Sequence, residues 1–216
     1  MDKKLEIKEK IVETGVKMLN TSLVVGTWGN ISARVPGEDL VAITPSGMNY
    51  DSLEADDIVI VDLEGKIVEG KRKPSIEVPM HVTIYRHRPD IQAIVHTHSP
   101  FATAMSTARK PIPGAVEDMV QIVGGNVRVS EYALPGTKEL GQNVIKALEG
   151  RQAVLLANHG MLGAGSNLEE ALKVCQVVEK TAQITILAQI IGGVVELSQE
   201  DIAFMRDFYL HHYGQR

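Results

Sequence analysis

Apolar residues return at three- and four-residue steps through Leu5–Leu19, at Ile7, Ile11, Val12, Val16 and Leu19, which is the stripe of an amphipathic helix. Three short β-rich runs follow, Ile31–Val35, Leu40–Ile43 and Ile58–Asp62, with turn signals at Pro36-Gly37, Pro45-Ser46-Gly47 and Glu64-Gly65. Their close succession predicts antiparallel pairing. In Ser75–Arg88, Val78, Val82 and Tyr85 sit at helical spacing; Pro79 is tolerable only in a first turn, so this helix should begin near Ser75 or Ile76. Ile91–His98 reads as a strand stopped by Ser99-Pro100, an N-cap with proline at the first helical position. Val127–Val129 is a short strand, Thr137–Leu148 a helix, and Ala153–Ala157 a buried strand ending at Asn158-His159-Gly160. The longest helix is predicted over Leu168–Ile191, capped by Asn167 with Glu170 completing a capping box. Its polar positions, Glu169, Lys173, Gln176, Lys180 and Gln183, form one narrow stripe, so its other faces are buried or meet a partner subunit. A last helix runs from Ser198 to about Leu210 and leaves the tail His211–Arg216.

With 216 residues, 44% hydrophobic and 23% charged, the chain has the balance of a globular domain, and a single domain over residues 1–216 is expected. At this size roughly 70% of the unfolded surface can be buried, so stability requires neither disulfides nor a structural metal, and any metal present serves chemistry. The net charge of −5, from 22 basic and 27 acidic residues, comes without a basic stripe of interleaved aromatics, which argues against a nucleic-acid partner. The lone Cys175 cannot form an internal disulfide, and Met1-Asp2-Lys3-Lys4 leads into mixed charge rather than an apolar signal segment; a cytoplasmic location is expected. The most apolar stretch, Ile184–Leu197, contains Gln189 and Glu196 and is broken by Gly192-Gly193, so no membrane span is expected.

His96 and His98 stand two apart at a strand end, and period-two alternation projects both imidazoles to one side. His159, just past a second buried strand and followed by Gly160, supplies a third. Three neutral imidazoles on neighbouring strand ends are the ligand set of a divalent, zinc-like ion with an open position. An amidohydrolase barrel needs about 250 residues, and a cupin-type site would want a carboxylate where Phe101-Ala102-Thr103-Ala104 stands; neither fits. His81, His87, His211 and His212 fall on predicted helices or the tail and are given no chemistry. The turn Gly26-Thr27-Trp28-Gly29-Asn30 matches no nucleotide fingerprint. It nonetheless joins Thr44-Pro45-Ser46-Gly47 and Pro74-Ser75 as places where amides and hydroxyls of the kind that surround phosphate are offered.

With these residues assembled, the chain resembles the zinc-dependent class II aldolases of the L-fuculose-phosphate aldolase and L-ribulose-5-phosphate 4-epimerase superfamily, which also includes adducin-like members. The likeness rests on Gly26–Ser32, Ile43–Gly47, Pro74–Glu77, Ala93–Ser99, Pro135–Leu140 and Ala157–Gly160. It implies a three-layer α/β/α fold with a mostly antiparallel central sheet, assembled as a homotetramer with active sites at subunit interfaces. It implies one Zn²⁺ per chain held by His96, His98 and His159, with Glu77 as the residue that ligates the empty-site metal and acts as base. Phosphate of a small sugar phosphate would contact Gly29, Asn30, Ser46, Gly47 and Ser75. The reaction implied is reversible cleavage of a ketose 1-phosphate, L-fuculose 1-phosphate-like, into dihydroxyacetone phosphate and a small aldehyde. The position where fuculose-type aldolases carry a tyrosine acid is Asp118 here, and with Tyr213 it makes up the remaining catalytic set, both expected to come from a neighbouring subunit. An aspartate there with a tyrosine tail is also the epimerase pattern, so a 4-epimerase is the alternative and a metal-free adducin-like module the third reading.

Overall fold

The computed structural model describes residues 2–214. The first helix, α1 (Lys3–Asn20), starts where the Asp2 carboxylate accepts the Lys4 amide. The strands β1 (Asn30–Arg34), β2 (Leu40–Ile43), β3 (Val59–Asp62) and β4 (Ile67–Glu69) follow, then α2 (Val78–His87), β5 (Ala93–Thr97) and α3 (Pro100–Thr107). The second half is α4 (Glu117–Val123), β6 (Arg128–Ser130), α5 (Lys138–Leu148), β7 (Ala153–Leu156), β8 (Gly160–Gly165), α6 (Leu168–Ile191) and α7 (Gln199–His212). All eight strands form one sheet in the order β4-β3-β2-β1-β5-β8-β7-β6. Every pairing is antiparallel except β6 on β7, so the expected antiparallel hairpins of the first half are present.

Alternation along these strands splits the interior into two cores. On one face, Val41, Ile43, Ile94, Val154 and Leu162 pack against α2 and α5 through Met80, Val82, Ile84, Leu140 and Val144. On the other, Ile31, Ala33, Val95, Leu155 and Met161 pack against Ile11 and Met18 of α1, Ala102 and Met105 of α3, Met119 and Val123 of α4 and the apolar side of α6. The result is the three-layer α/β/α arrangement with a mostly antiparallel sheet.

Several local expectations are corrected. Helix α2 begins at Val78, two to three residues later than predicted, because Ser75 and Glu77 form a tight turn in which the Ser75 hydroxyl accepts the Glu77 amide at 3.2 Å. Ser99 occupies the N-cap of α3 without capping through its side chain; instead the Glu179 carboxylate of α6 accepts the amides of Phe101 and Ala102, each at 2.8 Å. Glu170 does not close a capping box onto Asn167 but reaches Ser166, accepting both its amide and its hydroxyl. Strand β8, in the glycine-rich run Gly160–Gly165, was not predicted. Its glycines are a packing requirement: a Cβ on Gly163 would lie 2.7 Å from the Cys175 sulfur and 2.8 Å from the Ala171 carbonyl of α6. No helix of the described residues is long and apolar enough to cross a membrane. The end of α6 and the segment after it leave Ile190, Ile191 and Val195 exposed, as α7 does Phe204.

Candidate active site

The site is built on the registers of three central strands. Pairing of β1 with β5 sets Asn30 opposite His96, and pairing of β5 with β8 sets Thr97 opposite Met161. His96 and His98 therefore leave β5 on the same face as Asn30 and Ser32. His159 arrives from the turn between β7 and β8. Asn158 before it adopts φ 56°, a left-handed conformation that its short side chain tolerates, and its carboxamide oxygen accepts Arg109 Nε at 2.9 Å. The turn lies against β5 so tightly that a Cβ on Gly160 would meet the Thr97 carbonyl at 2.3 Å. Only glycine there lets the third imidazole close on the other two.

One ring nitrogen from each of His96, His98 and His159 falls within 4.8 Å of the others. His96 Nδ1 donates to the Met161 carbonyl at 2.8 Å, so the lone pair of its neutral ring is on Nε2, facing His98 Nε2 at 3.0 Å. Glu77, at the start of α2 and almost wholly buried, brings Oε2 to 3.2 Å from His96 Nε2 and Oε1 to 3.7 Å from His159 Nε2. Burial holds all three imidazoles below the usual histidine range, reinforced at His96 by His98 and at His159 by His96. Neutral imidazole lone pairs converging beside a carboxylate are the donor set of a divalent cation. Glu77 Oε1 is buried with no hydrogen-bond partner among the described residues, an orphan that a cation at this point would satisfy, so the residues fit the metal. The indole of Trp28 stacks on His98 with centroids 5.6 Å apart and forms one wall, a role the sequence reading did not assign.

The cluster floors a cleft of about 280 Å³ whose rim includes all five residues expected at phosphate, Gly29, Asn30, Ser46, Gly47 and Ser75. Loop 44–47 is fastened to loop 73–75 by Ser46 N–H to Lys73 carbonyl and Ser75 N–H to Thr44 carbonyl bonds. These two amides are spent internally, and the hydroxyls of Ser46 and Ser75 are the donors they leave for an anion. Asn30 lines the cleft, but its carboxamide is committed, donating to Glu77 Oε2 at 2.8 Å and facing His81 Nε2 at 2.6 Å. His81, given no chemistry from the sequence, is fully buried behind the site and held down to about 4 by that burial. Asp118 and Tyr213 are not brought to this cleft within the chain: Asp118, on the first turn of α4, pairs with Lys180, and the exposed Tyr213 stacks on Tyr209. A larger cleft of about 470 Å³ between α1 and the start of α6 contains none of the clustered imidazoles.

A three-imidazole cluster that could hold a metal ion, set in an α/β/α sheet beside a buried carboxylate and a hydroxyl-lined rim, defines a class of α/β protein with a candidate metal site. The model of the family of class II aldolase and adducin N-terminal domains matches residues 9–186, and the chain belongs to this family. It is 39% identical over 209 residues to 5-deoxy-D-ribulose 1-phosphate aldolase of Bacillus thuringiensis serovar kurstaki, covering 97% of each chain. Against L-fuculose phosphate aldolase of Escherichia coli O6:H1 it is 40% identical over 214 residues, covering 98% of this chain and 97% of the other. A solved L-fuculose 1-phosphate aldolase superposes with a TM-score of 0.92 at 42% identity, covering 95% of this chain and 96% of that one.

Two outcomes follow for the site itself. His96→Ala should lose most bound metal in elemental analysis of the purified protein, since one of three imidazoles and the lone pair nearest Glu77 are removed; retention of full metal content would contradict the ligand assignment. Stability of the metal-stripped protein should fall with pH. A histidine whose folded-state value is lowered binds its proton in the unfolded chain first, so its stabilisation is complete above about 6.5 and lost as pH drops toward 4. For His81 alone the full span is worth about 3 kcal/mol, and melting temperatures between pH 7 and 4.5 should decline; a flat or rising profile would contradict it.

Proposed function

We propose that the protein is a metal-dependent aldolase that reversibly splits a ketose 1-phosphate into dihydroxyacetone phosphate and a small aldehyde. The observation that carries this reading is the Glu77 carboxylate at the floor of the cleft: one oxygen is held by Asn30 and lies 3.2 Å from His96 Nε2, and the other has no hydrogen-bond partner among the described residues and lies 3.7 Å from His159 Nε2. Relatives named for a 5-deoxyribulose 1-phosphate and a fuculose phosphate support a phosphorylated ketose, and L-fuculose 1-phosphate and 5-deoxy-D-ribulose 1-phosphate are the two candidates. His96, His98 and His159 would hold one zinc ion per chain. When bound, that ion supplies electrophilic stabilisation of negative charge on the substrate's oxygens as the carbon–carbon bond breaks.

The chain's own residues do the rest. The Ser46 and Ser75 hydroxyls, with Gly29, Asn30 and Gly47 around them, seat the phosphate at the rim and fix the distance from it to Glu77. Glu77 Oε1 delivers a proton to the carbon released by cleavage and removes it in the reverse direction. Trp28 and Ile76 give the mouth an apolar wall, both being largely exposed there, which suits an aldehyde ending in a methyl or similar group. We assign to Asp118 and Tyr213 of a neighbouring subunit in a homotetramer the proton that the substrate hydroxyl gives up as it becomes the aldehyde oxygen on cleavage, and that this oxygen takes back in condensation. Support for that assembly comes from the resemblance, from the exposed apolar side chains at the end of α6 and on α7, and from the absence of both residues from the cleft of their own chain. A cytoplasmic location belongs to the same proposal.

Incubating the zinc-loaded protein with L-fuculose 1-phosphate, 5-deoxy-D-ribulose 1-phosphate and L-ribulose 5-phosphate tests the reaction. Dihydroxyacetone phosphate from at least one of the first two is expected; xylulose 5-phosphate from the third alone would make the enzyme an epimerase. Glu77→Gln should keep the fold while turnover falls by about 10²- to 10⁴-fold, and near-normal turnover would remove Glu77 from the chemistry. Mixing inactive Glu77→Gln chains with inactive Asp118→Asn chains under subunit exchange should restore some activity, because mixed interfaces regain both groups. No recovery after confirmed exchange would overturn the shared-site assignment.

A further inference from the structure

Behind Glu77 and Asn30 the structure holds an unbroken chain of buried polar groups whose inner members, His81, Ser32 and Tyr85, have no part in the proposed reaction. Tyr85 OH lies 2.8 Å from Ser32 Oγ, Ser32 Oγ lies 2.6 Å from His81 Nδ1, His81 Nε2 lies 2.6 Å from Asn30 Oδ1, and Asn30 Nδ2 donates to Glu77 Oε2 at 2.8 Å. Asn30, Ser32 and His81 are buried and polar, and Tyr85 is fully enclosed. Elementary donor and acceptor chemistry gives this chain one direction. An ionised carboxylate only accepts, so the Asn30 amino group must face Glu77 and its carbonyl oxygen must face His81. His81 must then carry its hydrogen on Nε2, and Nδ1 becomes an acceptor. The Ser32 hydroxyl must donate to Nδ1, which leaves its oxygen free to accept from Tyr85 OH. Burial keeps each end in the required state, holding the imidazole neutral with its value down to about 4 and pushing the phenol of Tyr85 up so that it keeps its proton.

We propose that His81 is a positioning residue for Glu77: through Asn30 it fixes the carboxylate by Oε2 and reserves Oε1 as the one oxygen that exchanges a proton. The assignment rests on the aldolase reading of Glu77 for its functional consequence, but not for its geometry. Without the His81 hydrogen, Asn30 Oδ1 is left buried and unpartnered, and the carboxamide loses the bond that fixes its plane. Its amino group can then shift or turn away, and Glu77 Oε2 loses the donor that holds the carboxylate beside His96 and His159. Buried networks of this kind hold geometry only while every member is satisfied, and mispositioning of about 1 Å can cost 10²-fold in rate.

Nitrogen-resolved NMR of the imidazoles in the metal-free wild-type protein at pH 7 tests the direction without any turnover. His81 is expected as the neutral Nε2–H tautomer, and an Nδ1–H tautomer or an imidazolium there would overturn the proposal. In the zinc-loaded enzyme, His81→Phe should lower kcat by about 10- to 100-fold, with KM and metal content within about twofold of wild type. His81→Gln, whose terminal amide nitrogen occupies the place of Nε2, should recover most of that loss. Equal losses in the two variants, no loss in His81→Phe, or a change in KM in place of kcat would each overturn it. Should His81→Phe fail to fold, the tautomer and the kcat of His81→Gln still decide. Failure of the aldolase reading is separately visible, because neither ketose 1-phosphate would then yield dihydroxyacetone phosphate while the tautomer of His81 stayed as assigned.

Discussion

The whole site depends on one register, the pairing of β1 with β5 that puts Asn30 opposite His96. A slip of one residue would turn Asn30 and Ser32 to the opposite face of the sheet, among Ile11, Met18 and the α6 side chains, and bring Ile31 to the polar side. Hydrophobic alternation forbids it: Ile31 and Ala33 are buried in one core while Ile94 is buried in the other. The apolar pattern that stabilises the sheet thus also aligns the carboxamide, the two β5 imidazoles and the carboxylate that meets them. Chemistry here is a by-product of a register that the core enforces for its own reasons.

Electrostatics then decides what the pocket can do. Burying a carboxylate and three imidazoles together is costly unless each is satisfied, and the protein satisfies them unevenly. His96 is anchored by the Met161 carbonyl and Glu77 Oε2 by Asn30, while Glu77 Oε1 and His159 Nδ1 are left without partners. Glu77 Oε2, though held by Asn30, still lies 3.2 Å from His96 Nε2. Of the orphans, Glu77 Oε1 lies on the side of the converging ring nitrogens, 3.7 Å from His159 Nε2. A centre meant only to stabilise the fold would have closed those valences with backbone or side-chain donors. Leaving a carboxylate oxygen free beside neutral imidazoles keeps both it and the ring lone pairs available to a cation or a ligand.

The legibility of this arrangement followed the range of the interactions. His96 and His98 were readable because period-two alternation is local, and His159 because a buried strand ended in front of it. Helix α6 was readable at both ends because its stripe and its Asn167 cap lie within one segment. The role of Glu77 came only through the resemblance, since nothing local marks a glutamate before Val78-Pro79 as a base. Its link to Asn30 spans 47 residues and that of Asn30 to His81 spans 51, and no periodicity joins such distant positions. Strand β8 escaped because glycine has poor strand propensity, although close contact with α6 demands it at Gly163. The cap of α3 escaped for a related reason: Ser99 is the right residue at the right place, but a carboxylate from a helix some 80 positions later in the chain outcompetes its hydroxyl for the amides.

The imidazole cluster and the rim of the cleft are carried by different elements. The imidazoles come from strand ends in the middle of the sheet, and Glu77 and its supporting chain from the start of α2 against β1. Both are buried, and a change in either disturbs the core. Trp28 and Ile76 instead stand at the mouth with most of their surface in solvent, Ile76 beside a loop whose Ser75 amide is bonded to the Thr44 carbonyl and Trp28 on a separate turn closed by its own amide onto the Val25 carbonyl. Replacing a rim side chain costs little packing, because surface substitutions away from buried networks have small effects on stability. The rim can be reshaped without moving Glu77, whereas altering Asn30 removes a direct hydrogen-bond partner of Glu77 and altering His81 removes the partner that holds Asn30. The exposed turns of the rim can therefore vary independently of the buried hydrogen-bond chain that runs from Tyr85 through Ser32, His81 and Asn30 to Glu77.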